Sequence, residues 1–324
     1  MMKPFKILFI GYQMHKEDLE DIAQCGIPVE VSYFDTIQLL ANMSRSEATI
    51  KSLEVVENTC PNLIFCNTGV ANLSRWLDLD FYDEVKKRGI KICDVIADSF
   101  PSLNSCELMW ILKNDYLFII DRPSNCEKFS KIVRELGLST RIYHWPVPNH
   151  ITKYYLELRD VDKQYDVTFL GRLTTSWRIS MVTYLTQTLP QFGFSFTHLN
   201  PKEDLSNYDY AKSIMQSKIS VNCLTSLGTT FQIKGRVIEL VASSAMPLIE
   251  DNPETRKFIP ANCAVYYDGY EDCAYKAAYY LQNVEERQVI ASNGAKWYAE
   301  NFDSRDIWRR LFISCQCDGY LGNC

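Results

Sequence analysis

Charged side chains gather at the start of one predicted helix. Lys234 and Arg236 flank Gly235, and Glu239 follows one turn after Arg236. Apolar residues recur at i, i+3 and i+4 spacing from Val237 onward, which predicts an amphipathic helix that begins at the glycine. The N-terminus of a helix presents unpaired backbone N–H groups and a partial positive charge. With the two cations, it predicts a site for an anion such as a diphosphate; the alternative is an ordinary helix with a charged first turn.

Two polar segments border this helix. The loop 224–230 precedes it and is rich in hydroxyl groups, and Thr229 is a candidate for hydrogen bonding to a sugar or a phosphate, although ordinary loops use the same residues. The predicted strand 246–249 follows the helix and runs into the polar stretch 250–255, which contains Glu250 and Asn252. Ligands of open α/β sheets bind at the carboxyl ends of the strands, so both residues are candidates for the same site.

Predicted strands and helices alternate along the whole chain, which indicates an α/β protein with parallel sheets. The first half has predicted strands at 6–10, 29–34, 62–66, 90–97, 116–121 and 141–145. The second half has predicted strands at 165–170, 194–198, 219–223, 246–249 and 264–267. Gly11 follows the first strand, but the residues after it do not match the GxGxxG pattern, and no dinucleotide site is predicted.

The second half resembles a known enzyme family. The strings KGRVIEL, PLIEDNPETRKFI, AVYY and VEERQVIASNGAKWYAENF are similar to the C-terminal half of GT-B glycosyltransferases, in the branch typified by CgeB-like spore-maturation proteins. The resemblance implies a GT-B fold, with two Rossmann-like domains whose parallel sheets face each other across a cleft. We expect an acceptor-side domain at 1–160 and a donor-side domain at 161–324. The last helix, about 303–313, corresponds to one that often crosses back to the first domain.

The resemblance also implies roles for particular residues. Gly171 and Arg172 match a GT-B loop whose arginine reaches the phosphates of the donor, and Arg178 lies where many relatives carry a lysine. Glu239 matches the glutamate that binds the ribose hydroxyls. The alternative for both arginines is a surface salt bridge, and for Glu239 it is an ion pair with Arg236 on a solvated helix face.

A candidate general base lies in the first half. Asp98 resembles the acidic residue that ends the matching strand in CgeB-like proteins, and its alternative role is to cap the helix after Pro101.

The chain departs from the family pattern at one position that bears on stereochemistry. Retaining relatives of the glycogen-synthase type carry a glutamate eight residues before the one that matches Glu239, whereas this chain has Phe231 there. Retention is therefore not carried over.

The predicted function is transfer of a hexose or pentose from a nucleotide-diphosphate sugar to a hydroxyl acceptor. We expect a UDP- or GDP-sugar as donor, no metal and no other cofactor; the acceptor is a saccharide, a protein or a modified DNA base. Two alternatives remain: a catalytically silent relative that binds a nucleotide or sugar, and a phage-type glycosyltransferase that acts on modified DNA bases.

Composition narrows the class of protein. The 324 residues carry a net charge of −6, which gives no general reason to expect nucleic-acid binding. No apolar stretch is long enough to span a membrane and no signal-peptide pattern is present, so a cytoplasmic protein is expected.

The 12 cysteines are dispersed, which predicts reduced thiols. The tail residues Cys315, Cys317 and Cys324 are a weak candidate for metal binding. The triplet from Asp78 to Asp80 precedes a predicted helix, which Asp80 is expected to cap.

Overall fold

The computed structural model describes residues 3–11, 14–67, 76–96, 105–120, 123–145, 149–200, 205–226, 230–231, 233 and 235–320. The chain divides into two compact units. Unit 1 comprises Met1–Trp145 and Asp303–Cys324, and unit 2 comprises Pro146–Phe302.

Unit 1 is built on a parallel sheet of six strands. The strands are β1 (Phe5–Gly11), β2 (Val29–Phe34), β3 (Leu63–Asn67), β4 (Lys91–Ile96), β5 (Tyr116–Ile119) and β6 (Arg141–His144). Helices α1 (Lys16–Ala23), α2 (Thr36–Asn42), α3 (Arg45–Thr59), α4 (Leu79–Lys87), α5 (Ser105–Lys113) and α6 (Pro123–Glu135) connect them. The strand order is β2-β1-β3-β4-β5-β6. All six predicted strands of this half are confirmed, with ends that shift by up to two residues.

Unit 2 is built on a parallel sheet of five strands in the order β13-β12-β9-β7-β8. The strands are β7 (Tyr165–Leu170), β8 (Phe196–Leu199), β9 (Ser217–Asn222), β12 (Met246–Glu250) and β13 (Val265–Tyr267), with a small hairpin of β10 (Thr225–Ser226) and β11 (Thr230–Phe231). The helices are α7 (Asn149–Thr152), α8 (Ser176–Thr188), α9 (Asn207–Met215), α10 (Gly235–Ala242), α11 (Pro253–Phe258), α12 (Gly269–Gln282) and α13 (Val284–Asn301). The sequence predicted the five main strands but not the hairpin or α7.

The last helix, α14 (Ser304–Tyr320), belongs to unit 1. Its Trp308 is fully buried, and the indole packs against the rings of Phe9, Phe65 and Trp145. Because side chains alternate along a strand, Leu8 on β1 points to the opposite face and joins the core formed with α3 and α4. Both faces of the sheet are therefore covered, as expected for a parallel sheet.

The packing of α13 on α10 requires a glycine. A Cβ atom built on Gly294 would lie 2.7 Å from the carbonyl oxygen of Val241 and 3.0 Å from that of Cys263. Only a residue without a side chain lets the two helices approach so closely. Because α10 carries Arg236 and Glu239, this contact fixes the position of the helix on which the site is built.

The division between the units lies after residue 145, whereas the sequence predicted it near residue 160. The described part of the segment between these points, residues 149–160, is not a wholly exposed linker. Tyr155 and Leu158 are buried in a cluster that contains Leu170 and Leu240. Their apolar side chains complete the core of unit 2, and this burial assigns the segment to the second unit.

The acidic triplet before α4 differs from the prediction in one detail. The helix begins at Leu79, so the N-cap position belongs to Asp78 rather than to Asp80, which lies in the first turn. The Asp78 carboxylate accepts a hydrogen bond of 3.0 Å from the hydroxyl of Ser46. This contact supports a structural role for the triplet.

Candidate anion-binding site of unit 2

A cavity of about 370 Å³ opens at the carboxyl ends of β7 and β9. Its polar wall is formed by Gly171, Arg172, Thr174, Arg178, Asn222 and Arg236. The strands are neighbours and parallel, so their carboxyl ends meet at one edge of the sheet. This edge is where an open α/β sheet binds its ligand. The structure thus brings three of the predicted arginines to one cavity.

Arg236 lies in the first turn of α10, and its guanidinium group is held from three sides. Nη1 donates to the carbonyl oxygen of Leu170 at the end of β7, and Nε donates to Glu239 Oε2 at 3.0 Å. The guanidinium carbon lies 4.9 Å from the ring centre of Tyr210. These hydrogen bonds leave N–H groups on Nη1 and Nη2 that a ligand in the cavity can use.

Glu239 lies behind Arg236 and does not line the cavity. It is 5% exposed, and Oε2 also accepts a hydrogen bond of 3.2 Å from the hydroxyl of Tyr210. Burial raises the pKa of the Glu239 carboxyl, and the charge of Arg236 and the hydrogen bonds from both neighbours offset only part of the rise. The ion pair with Arg236 therefore exists, but on a buried rather than a solvated face. Oε1 accepts no hydrogen bond from the part of the chain that the structure describes.

Arg178 and Arg172 also line the cavity. Arg178 lies in the first turn of α8, whose N-cap is Thr175, and its Nη1 is 3.4 Å from the carbonyl oxygen of Arg172. The Nε atom of Arg178 is buried and has no hydrogen-bond partner among the described residues. A buried donor without a partner is costly in free energy. Arg172 is exposed, as a residue that meets a ligand from solvent would be.

Glu250 and Asn252 lie at the carboxyl end of β12, beside β9. Both are buried, and neither lines the cavity. The thiol of Cys223 lies 3.4 Å from Glu250 Oε2, and the Asn252 side chain caps α11 by accepting from the backbone N–H of Glu254 at 2.9 Å. The Asn252 side-chain oxygen is thus used within the fold.

Three predicted site residues, Asp98, Thr229 and Lys234, lie outside the described residues. Sequence reasoning missed three residues of this region, Thr174, Asn222 and Tyr210. Asn222 ends β9 and lines the cavity, and the rule that sites lie at carboxyl ends of strands could have indicated it. Tyr210 lies on α9, far from Arg236 in sequence, and no local pattern signals its contact with the guanidinium.

Two further observations concern the kind of protein. In the part of the chain that the structure describes, no cluster of metal-ligating side chains occurs, and no helix is both long and apolar enough to cross a membrane.

Comparisons with known proteins concern the second half of the chain by sequence and the whole chain by fold. Residues 159–312 match a family model described as Glycosyl transferase-like. The structure is similar to that of Anabaena HepE in complex with UDP and glucose, at 12% identity and a TM-score of 0.62, over 96% of this chain and 99% of that one. The chain has the GT-B fold.

Two other structures show the same GT-B likeness. A glycosyltransferase from Rickettsia africae has 11% identity and a TM-score of 0.64, over 97% of this chain and 98% of that one. Sucrose-phosphate synthase from Thermosynechococcus elongatus has 10% identity and a TM-score of 0.61, over 98% and 100% of the two chains. No curated protein matches the chain by sequence. The predicted GT-B fold is confirmed, whereas the narrower resemblance to CgeB-like proteins stays a prediction.

Proposed function

We propose that the protein is a glycosyltransferase that moves a sugar from a nucleotide-diphosphate sugar to a hydroxyl acceptor. The observation that carries the proposal is the cavity of unit 2, in which Arg172, Arg178 and Arg236 meet at the carboxyl ends of β7 and β9. The cavity lies in the segment that matches the Glycosyl transferase-like model, and the fold of the chain supports the same assignment.

The three guanidinium groups suit the diphosphate of the donor. A guanidinium is always charged and donates from a planar fork, so it can pair with two phosphate oxygens at once. The N-terminus of α10 adds backbone N–H groups beside Arg236. We propose that Lys234 and Thr229 add a cation and a hydroxyl to the same group. With this many positive charges, the departing diphosphate can be stabilised without a metal ion.

The proposal extends to the nucleoside and the sugar of the donor. Anabaena HepE has been solved with UDP and with UDP-glucose, which supports a UDP-sugar here, with a GDP-sugar as the other candidate. Glu239 is proposed to accept the ribose hydroxyls through Oε1, since both observed contacts use Oε2. Glu250 and Asn252 are proposed to face the sugar from the end of β12. The transferred group is a hexose or a pentose.

The proposed reaction is a displacement at the anomeric carbon. The bond between that carbon and the diphosphate oxygen breaks, the arginines stabilise the charge that leaves, and the hydroxyl oxygen of the acceptor forms the new bond. If the reaction inverts configuration, a general base must take the proton of the acceptor, and Asp98 in the acceptor-side unit 1 is our candidate.

Turnover of candidate donors tests the proposal. UDP-glucose, UDP-galactose and GDP-mannose are incubated with the protein and with saccharide, protein or DNA acceptors, and release of UDP or GDP is measured with and without EDTA. We expect release from one donor, unchanged by EDTA. Binding without release under every acceptor condition would instead identify a silent nucleotide-binding relative. Release that requires DNA with modified bases would identify a DNA glycosyltransferase.

A thermal-shift screen against the same donors gives the affinity independently. A ligand at 100 times its dissociation constant stabilises the folded protein by about 2.7 kcal/mol. Absence of both binding and release for all donors would refute the proposal.

A further inference from the structure

His198 lies on the edge strand β8 and contacts the strand end that carries the arginine loop. Its Nε2 atom is 2.7 Å from the carbonyl oxygen of Gly171, and its ring stacks on Phe169 with 5.9 Å between ring centres and 26° between planes. Phe169 and His198 are direct partners in the register of β7 and β8. His198 itself does not line the cavity.

The contact fixes the direction of one peptide unit. A carbonyl oxygen can only accept, so Nε2 carries the proton and donates to Gly171. The backbone N–H of Gly171 donates to the carbonyl oxygen of Leu199 at 3.0 Å, so both polar groups of the glycine are bound to β8. The peptide unit is planar and trans, which places the N–H of Arg172 opposite to the carbonyl that His198 holds. The start of the arginine loop is thereby oriented by β8.

A side chain at the glycine position would crowd the same arrangement. A Cβ atom on Gly171 would lie 3.2 Å from Cζ of Phe169. A side chain at this position would press on the ring that His198 stacks against. Gly171, Phe169 and His198 thus pack against one another at the end of β7.

A corresponding hydrogen bond occurs independently in unit 1. The hydroxyl of Tyr33 on the edge strand β2 donates to the carbonyl oxygen of Gly11 at 2.9 Å. Tyr33 is the register partner of Phe9, which precedes Gly11 by two residues as Phe169 precedes Gly171. In each unit a polar aromatic side chain on the edge strand therefore binds the carbonyl of a glycine at the carboxyl end of the first strand. The recurrence indicates a built feature rather than a chance contact.

We propose that His198 is a positioning residue for the donor diphosphate, acting through the peptide between Gly171 and Arg172. The inference rests on the proposed function, because the diphosphate is its ligand. His198 touches the loop and not the donor. Its loss should therefore weaken binding of the diphosphate while binding of the nucleoside is kept.

Three variants separate this role from a merely structural one. His198→Phe keeps an aromatic ring on Phe169 and removes the N–H donor, and His198→Gln restores an N–H donor without the ring. Tyr33→Phe is the matched control, since it removes the equivalent hydrogen bond in unit 1. Affinities for UDP and for uridine are measured by calorimetry, and unfolding is followed for each variant.

We expect His198→Phe to weaken UDP binding by up to about tenfold, the size of one lost hydrogen bond, with uridine affinity and the unfolding midpoint unchanged. His198→Gln should recover most of the UDP affinity, and Tyr33→Phe should leave it unchanged. Equal UDP affinity of His198→Phe and the wild type, or equal losses for UDP and uridine, would overturn the proposal.

Hydrogen exchange of the segment 171–178 in the unliganded protein tests the positioning without any ligand. The segment should exchange faster in His198→Phe than in the wild type or in His198→Gln. If the wild type binds no nucleotide but the exchange rates differ in this way, the proposed function fails, and the result still shows that His198 orders the loop. Identical exchange in all variants means that His198 does not hold the loop.

Discussion

Replacement of Gly294 by alanine tests whether the contact between α13 and α10 supports the site. The added methyl carbon would lie 2.7 Å from the Val241 carbonyl oxygen, whereas carbon–oxygen contacts in proteins are rarely below ~3.3 Å. The helices must therefore separate by roughly 0.6 Å or more at this point. Because the obstacle is backbone, no side chain can rotate away to make room.

The expected magnitude combines two opposing effects. Overpacking of this kind costs about 1–3 kcal/mol. Alanine is a better helix former than glycine by up to about 1 kcal/mol, which offsets part of the cost. We expect Gly294→Ala to lower the free energy of unfolding of unit 2 by about 1–2 kcal/mol. Each kcal/mol lost should lower the thermal unfolding midpoint by ~2–4 °C. UDP affinity should also fall, since α10 carries Arg236.

Thermal and urea unfolding, followed with and without UDP, measure both effects. Ser292→Ala is the matched control because Ser292 lies on the same helix and is exposed, so it gains helix propensity without a clash. We expect this control to be stabilised by a few tenths of a kcal/mol. If Gly294→Ala is as stable as Ser292→Ala, the close approach of the two helices does not govern the position of α10, and the reasoning fails.

Four further predictions concern the charged site and the core. Arg172→Ala should weaken UDP binding about tenfold without loss of stability, because the residue is exposed; unchanged affinity in calorimetry would remove it from the site. Arg236→Ala should weaken UDP binding and also destabilise the fold by about 3 kcal/mol, because it leaves the Glu239 carboxylate buried without its ion-pair partner. Urea unfolding measures this loss, and the additional replacement of Glu239 by glutamine in the same protein should restore part of it. Burial raises the pKa of Glu239 in the folded protein. The contribution of this group to stability is therefore present below the ordinary carboxyl pKa of about 4.3 and is lost as pH rises through the folded-state pKa. Glu239→Gln should make the free energy of unfolding depend less on pH. Trp308→Ala should lower the free energy of unfolding of unit 1 by about 3–5 kcal/mol, and a loss below 1 kcal/mol would show that α14 is not part of its core.

The role of Glu239 toward ribose stays a separate prediction. As a ribose ligand, Glu239→Gln should reduce affinity for UDP more than affinity for its 2′,3′-dideoxy analogue, because only UDP offers the hydroxyl groups. Paired titrations measure the difference. An equal change for both ligands would leave Glu239 only as the partner of Arg236 and Tyr210.

The surroundings of Arg236 in the structure differ from those that its position in the sequence suggests. From the sequence, a charged residue in the first turn of an amphipathic helix belongs on its polar face. In the structure Arg236 packs against Tyr210 of α9 and binds the end of β7. Both partners lie far from it in sequence, so no local pattern reports that this polar face is covered.

The sequence by itself determined the alternation of strands and helices, since period and apolar content identify buried parallel strands regardless of their order. The resemblance to GT-B enzymes also indicated Arg172 and Arg178, which follow the first strand of unit 2. Tertiary structure alone decided which strands are neighbours, that Glu239 is buried behind Arg236, and that His198 holds Gly171. These facts depend on contacts between residues separated by tens of positions in the chain. Such contacts arise from packing, which local sequence patterns do not encode.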